Sequence, residues 1–359
     1  MQYISFPGLG VGPFHIDKVA FTVFGRDVAW YGILITFGMI LCVLYANYIA
    51  THREGLKSDD IVDLAFYVII FGVLGARLYY VLFELDAYIV TSGTFLQNVA
   101  QSFVRIISIW NGGLAIYGGV LAGLLTAYLF ARHRKIPFLK LFDILGATVL
   151  IGQIIGRWGN FVNMEAHGGE TTLPWRMGLL TSYSGTIPAD GVWDRAIYVH
   201  PTFLYESLWN LVGFCILNAL YKKKKYDGEI FGGYCIWYGF GRMLIEGLRT
   251  DSLMLGPIRI SQLVGALSCV FGVIFCLIRA KQTKKVTAAA EEYTAVDEKT
   301  NDITAEDAEK DGTKDARNAV QVDTGKDADR ADADSKSENH TAESTEPDAA
   351  EERENGTDH

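Results

Sequence analysis

Gly156-Arg157-Trp158-Gly159-Asn160-Phe161-Val162-Asn163-Met164-Glu165 closes an apolar run that begins near residue 142. It places a cation, two amides and a carboxylate where a membrane helix is ending. A charged side chain near the bilayer centre costs about 3 kcal/mol on insertion scales, so an intramembrane arginine with polar neighbours marks a functional site by default. The segment reads both as the end of a spanning helix and as part of a polar site at membrane depth.

Working outward, seven runs are long enough to span about 30 Å of hydrocarbon at about 1.5 Å per residue: roughly 29–50, 61–83, 112–131, 142–163, 201–221, 230–248 and 259–280. Basic residues follow the first (His52, Arg53, Lys57), third (Arg132, Arg134, Lys135, Lys140), fifth (Lys222 to Lys225) and seventh (Arg279, Lys281, Lys284, Lys285) runs. By the positive-inside rule these loops are cytosolic. The expected fold is an all-α polytopic membrane protein with seven transmembrane helices and its N-terminus outside. Residues 1–28 form an outer interfacial segment, 29–280 the membrane domain, and 164–200 an outer cap loop containing Trp175, Tyr183 and Trp193. Residues 95–110, rich in Phe, Ile and Leu, are likewise expected to lie along the interface.

Composition breaks near Lys285. From Val286 to His359 about 23 acidic residues face 8 basic ones, so this stretch carries about −15 of the chain's net −9 and the body about +6. With no Leu, Phe or Trp to bury, 286–359 is expected to be a disordered cytosolic tail. All five cysteines lie in apolar runs without CxxC spacing and read as buried hydrophobes. Residues 1–27 have neither a basic start nor an apolar stretch, so the first hydrophobic helix is expected to do the targeting.

Charged or polar residues within or at the outer ends of the runs are Arg77, Tyr117, Arg157, Asn160, Glu165, His200, Glu206, Arg242, Glu246 and Arg249. Paying about 3 kcal/mol for each at depth would consume a domain's whole net stability, so they are expected to share a wet or paired interior. Tyr238, Arg242, Glu246 and Arg249 fall at i, i+4, i+8 and i+11, one stripe of the sixth helix. Glu246 can pair with Arg242 and Arg249, and the stripe together with Arg157 is expected to stay net positive. Arginine forks suit phosphate oxygens, and a phospholipid head group is the natural anion at that depth. Metal binding is not expected, since the histidines lack ligand spacing and HExxH is absent. The absence of GxSxG argues against serine-hydrolase chemistry. An anion or lipid transporter with an Arg-lined site is the alternative reading, although the internal repeats typical of transporters are missing.

At these residues the chain resembles the prolipoprotein diacylglyceryl transferases. The resemblance covers about residues 29–280. It rests on Trp30-Tyr31-Gly32, Gly75-Ala76-Arg77, Trp110-Asn111-Gly112-Gly113-Leu114 through Gly118-Gly119, Asp143, the Gly156 to Glu165 segment, His200-Pro201-Thr202 with Tyr205-Glu206, and Arg242-x-x-x-Glu246-x-x-Arg249. It implies transfer of the diacylglyceryl group of phosphatidylglycerol to the lipobox cysteine of an exported prolipoprotein, giving a thioether and glycerol phosphate. It implies membrane lipid and the lipobox-bearing signal peptide as partners, in a bacterial cell membrane, with no cofactor, metal or nucleic acid. Arg157 and Arg242 are expected to stabilise charge on the leaving phosphate, with Glu246 among the catalytic residues. Tyr31, Asn160, Glu165, Gly168, Tyr238 and Arg249 are implied in substrate binding. Much of the family reads Gly-Gly-x-x-x-His-Gly-Gly where this chain has Tyr117 before Gly118-Gly119. Tyr117 in that place is counted among the catalytic residues; a tyrosine of pKa about 10 is a poor base but a good hydrogen-bond donor, and His167 and His200 are further candidates for taking the thiol proton.

Overall fold

The computed structural model describes residues 2–109, 112–180 and 196–318, so Trp110, Asn111, Tyr183 and Trp193 lie outside the described residues. Each of the seven apolar runs is helical. The long helices are α1 (Trp30–Arg53), α2 (Ser58–Phe83), α5 (Ile116–Arg134), α6 (Phe138–Asn163), α7 (Thr202–Tyr221), α8 (Glu229–Ile245) and α9 (Ile260–Asn318), with the short α3 (Leu85–Tyr88) and α4 (Phe95–Ile107) between α2 and α5. Among the described residues α1, α2, α6, α7 and the Ile260–Glu291 part of α9 are long and apolar enough to cross a membrane. The other two fall short for local reasons. α5 ends in Arg132-His133-Arg134, and α8 has 17 residues before a 3-10 turn, Glu246–Leu248, carries it outward.

Close helix crossings come from small residues, as membrane packing requires. A Cβ on Gly75 of α2 would stand 2.8 Å from the Gly118 carbonyl of α5, so only glycine permits this approach. Of the small-residue pairs in the sequence, Gly119 faces Gly72 and Gly152 faces Cys42 of α1, whereas a Cβ on Gly156 would meet nothing within 4 Å. One apolar core joins Ile49, Ile61, Leu141, Ile144, Leu150, Leu217 and Ile230.

Above this core a buried acid fixes the start of α8. The Asp143 carboxylate is fully buried and accepts hydrogen bonds from the backbone N–H groups of Gly228, Ile230 and Phe231 at 2.8, 2.9 and 3.0 Å. Lys224 sits 3.3 Å from it and also pairs with Glu54 and Asp227. This is a helix N-cap supplied from a neighbouring helix. Asp143→Ala would strand three backbone donors while Lys224 keeps Glu54 and Asp227, and is expected to cost about 3 kcal/mol. Thermal unfolding in detergent should show a large fall in midpoint; an unchanged midpoint would contradict the capping role.

The outer segments differ from the all-α expectation. Residues 2–29 do not form a purely interfacial stretch: β1 (Gln2–Phe6) and β2 (Val11–Ile16) join β5 (Met177–Leu180) and β6 (Ile197–Val199) in an antiparallel sheet of order β2-β1-β5-β6, and β3 (Val19–Val23) pairs with β4 (Arg26–Ala29). A third two-stranded ribbon, β7 (Met254–Leu255) with β8 (Ile258–Arg259), links α8 to α9. The first sheet takes in β5 and β6 from the 164–200 segment. The face carrying Ile4, Met177, Leu179 and Val199 packs with Phe203 of α7 and Phe161 of α6. The 95–110 stretch does form an amphipathic helix, α4, closed by a Thr94–Gln97 capping box with Phe95, Leu96 and Phe103 exposed.

A separate unit begins at Glu292. Its residues are helical as far as Asn318, where disorder is expected from the composition. Alanine, glutamate and lysine are strong helix formers, so lack of a core does not by itself prevent a helix.

Candidate active site

The signature segment ends α6 in an unusual turn. Met164 caps the helix at φ +54° and Ala166 follows at φ +57°, both in the left-handed region. For a residue with a Cβ each costs roughly 1–2 kcal/mol, and such strain clusters at functional sites. The turn folds Glu165 back so that its Oε1 accepts hydrogen bonds from Asn160 Nδ2 at 3.0 Å and Asn163 Nδ2 at 3.2 Å. Thr202 at the head of α7 clamps the turn by donating its hydroxyl to the Ala166 carbonyl.

One helical turn inward, three helices meet in a chain of ions. Glu206 of α7, 2 % exposed, receives Arg157 Nη2 of α6 on Oε1 at 2.5 Å and Arg242 Nη1 of α8 on Oε2 at 3.0 Å. Arg242 Nη2 reaches Glu246 Oε2 at 2.6 Å, and Arg249 Nη1 lies 3.8 Å from that same oxygen. Arg249 then grips Asp251 with Nε and Nη2, both at 3.0 Å, while Arg157 Nη1 donates to Asn160 Oδ1 at 3.1 Å. The stripe on the sixth run and Arg157 thus converge as the spacing implies. Their charge does not: Arg157, Arg242 and Arg249 are matched by Glu206, Glu246 and Asp251, so the expected surplus of positive charge is absent from this network. Anion affinity must come instead from directed donors. An arginine has five N–H groups. Arg157 and Arg242 each commit two nitrogens here, leaving N–H groups at Nε and at the second positions of the forks.

Glu206 stood out in the sequence as an acid within an apolar run, but no role was assigned to it, since its partners lie 49 and 36 positions away. Asp251 was missed because it stands in a polar loop. Burial pushes the Asp251 carboxyl up, but the Arg249 hydrogen bonds and charge outweigh this and hold it below the ordinary carboxylate value. A depressed carboxylate contributes stability that is present above its unfolded pKa of about 3.9 and is lost as pH falls through the folded value. The difference in unfolding midpoint between the protein and Asp251→Asn should therefore hold from pH 7 to about 5 and close below about 4; a difference that closes near neutrality would contradict the clasp.

The other expected residues fall on three walls. The Tyr31 ring of α1 lies against Gly159, where a Cβ would stand 2.6 Å from it. Tyr238 of α8 stacks on Tyr234 at 5.5 Å, and Tyr234 accepts a hydrogen bond from Gln153 at 2.9 Å. Gly168 is a true close approach: a Cβ there would lie 2.6 Å from His200 Cβ and 3.1 Å from the Leu248 carbonyl. Its N–H donates to the His200 carbonyl at 3.0 Å, and it bridges to Arg249. Tyr117 stands apart. It lies on the first turn of α5, 40 % exposed, and among the described residues no hydrogen bond or ion pair joins it to the Arg157–Glu206–Arg242 network. Nor does Arg77 share that network. Buried at 6 % exposure, it donates to the carbonyls of Arg105, Ile106, Ser108, Gly112 and Gly113, and so shapes the loop that leads into Tyr117.

Residues 18–278 match the family described as prolipoprotein diacylglyceryl transferase. The chain is 42 % identical over 269 residues, 75 % of its length and 98 % of the relative's, to a phosphatidylglycerol–prolipoprotein diacylglyceryl transferase of Clostridioides difficile (strain 630). It is 43 % identical over 266 residues, 74 % of its length and 93 % of the relative's, to proteins of the same name from Bacillus cereus (strain G9842) and Bacillus thuringiensis subsp. konkukian (strain 97-27).

Proposed function

Since the chain belongs to the prolipoprotein diacylglyceryl transferase family, we propose that its Arg157–Glu206–Arg242 cluster holds the phosphate of phosphatidylglycerol during attack by the lipobox cysteine. The enzyme is a membrane transferase that moves the diacylglyceryl group of phosphatidylglycerol to the cysteine of a prolipoprotein, the first step of lipoprotein maturation. Sulfur attacks the glycerol carbon next to the phosphate ester; the C–S bond forms, the C–O bond breaks, and glycerol phosphate leaves. Negative charge grows on the phosphate as it becomes a monoester. Donors fixed in advance at that place favour the transition state over the ground state.

The observation that carries this reading is the double clasp of Glu206 on both arginines. It fixes two guanidinium groups side by side and lets each keep donors for a shared ligand. Glu246 orients Arg242, Arg249 and Asp251 close the outer side, Asn160 and Glu165 form the wall toward the turn, and Tyr31, Tyr238 and Gly168 line the remaining approach. The site opens to the outer leaflet of a bacterial cytoplasmic membrane, the seven long helices span it, the N-terminus and the sheet lie outside, and the acidic tail is cytosolic. These assignments follow the basic loops after α1, α5, α7 and the apolar part of α9.

Purified protein, phosphatidylglycerol vesicles and a lipobox peptide, with no metal or nucleotide added, should yield a lipid-shifted peptide and glycerol phosphate. A lipid shift unaffected by replacing both arginines would contradict the assignment of the cluster. Tyr117 is assigned a hydrogen bond to the head group and no proton-accepting role. Tyr117→Phe is expected to slow transfer about tenfold, the worth of one neutral hydrogen bond; unchanged turnover would remove Tyr117 from the site.

A further inference from the structure

The nucleophile enters as a thiol of pKa about 8.5, mostly protonated near neutrality, and neither arginine can take its proton. We propose that His200 accepts it, with Tyr205 and Trp175 as positioning residues. This rests on the phosphate assignment above for the place of the reacting carbon. Three independent observations support it.

First, His200 is fixed in place. Its N–H donates to the Gly169 carbonyl at 3.0 Å, its carbonyl accepts from Gly168 N–H at 3.0 Å, and its Cβ fills the space a Gly168 side chain would need. Secondly, its ring belongs to a relay. Trp175 Nε1 donates to Tyr205 Oη at 2.7 Å, and His200 Nδ1 lies 3.2 Å from the same oxygen. Indole is only a donor, whereas a phenol oxygen accepts twice. With Trp175 on one lone pair of the phenol, we assign the other to His200 Nδ1–H, the tautomer that leaves the Nε2 lone pair free to accept a proton. Thirdly, the spacing fits. Gly168 and Gly169 join His200 to Leu248 and Arg249 through backbone pairs, and Glu206 follows Thr202 by about 6 Å of helix rise. His200 therefore precedes the first turn of α7, with Glu206 more than one helical turn further along, and we place the sulfur and the glycerol carbon between base and phosphate.

In the step, the S–H proton passes to Nε2 as the C–S bond forms. The electron pair of the breaking C–O bond goes to the phosphate oxygen, and the imidazolium proton then passes to the departing phosphate or to water.

The test compares a lipobox peptide with its selenocysteine counterpart, whose more acidic selenol is already anionic and needs no base. His200→Gln is expected to lower kcat by about 10²–10⁴-fold with cysteine and to come within about tenfold of the unaltered enzyme with selenocysteine, at unchanged KM for lipid. Tyr205→Phe and Trp175→Phe should show the same selective rescue with smaller losses, and they decide the matter if His200→Gln does not fold. Equal losses with both peptides, or full activity with cysteine, would overturn the proposal. Arg157→Lys separates the two assignments: failure of the phosphate reading shows there, without altering the selenocysteine-to-cysteine ratio at His200.

Discussion

Arg242→Ala is expected to lower kcat/KM for diacylglyceryl transfer by at least about 10³-fold. Removing one preplaced donor to a developing oxyanion costs about 10²–10³ in rate, and this arginine does more than donate. It stands between Glu206 and Glu246, at 3.0 and 2.6 Å, and both carboxylates are 2 % exposed. Without it, among the described residues, the ion pairs left are the 3.8 Å contact of Glu246 to Arg249 and that of Glu206 to Arg157. Breaking a buried pair from one side costs about 3–5 kcal/mol because the remaining charge is stranded. Arg242→Lys separates the two effects. It restores charge but not the planar fork that serves two acids at once, so it should regain much of the unfolding midpoint and little of the rate. A lysine variant with near-normal kcat would mean that charge alone suffices.

Glu206→Gln is the second large effect, and it should split binding from chemistry. The amide can accept from one arginine but carries no charge to hold two. Arg157 and Arg242, from α6 and α8, would then face each other as like charges with side chains only 19 % and 12 % exposed. Their freed donors should grip the ground-state phosphate more tightly while losing the alignment the transition state needs. KM for phosphatidylglycerol is expected to fall or stay level while kcat drops by about 10²-fold or more, the signature of a group that serves the transition state. A rise in KM at constant kcat, read in steady-state assays over a lipid titration, would show that Glu206 merely builds the binding site.

Much of this could be read from the chain because its strongest signals are local. Apolar runs located the seven long helices, within a few residues at each end except that of α9, which runs on to Asn318. The spacing of Arg242, Glu246 and Arg249 implied one charged cluster, although only Arg242 lies in α8, with Glu246 opening the 3-10 turn and Arg249 following it in extended backbone. Non-local features were hidden. Strands β1, β5 and β6 come from segments up to about 190 residues apart, and none alternates long enough to announce a sheet. The neutralising role of Glu206 was hidden for the same reason: a lone acid in an apolar run says that it must pair, not with whom. Arg77 shows the converse. Buried cations need partners, but five backbone carbonyls satisfy one as well as an acid does, so it serves the loop before α5 rather than the lipid site.

The position of the lipid phosphate decides between these roles. A structure of the protein bound to a phosphatidylglycerol analogue whose scissile ester oxygen is replaced by carbon, and which therefore cannot be cleaved, would locate it directly. Phosphonate oxygens within about 2.7–2.9 Å of guanidinium nitrogens of both Arg157 and Arg242, with Glu206 still bridging the pair, is the result expected. Phosphonate density away from these two arginines, with the Arg157–Glu206–Arg242 clasp closed and unoccupied, would contradict it.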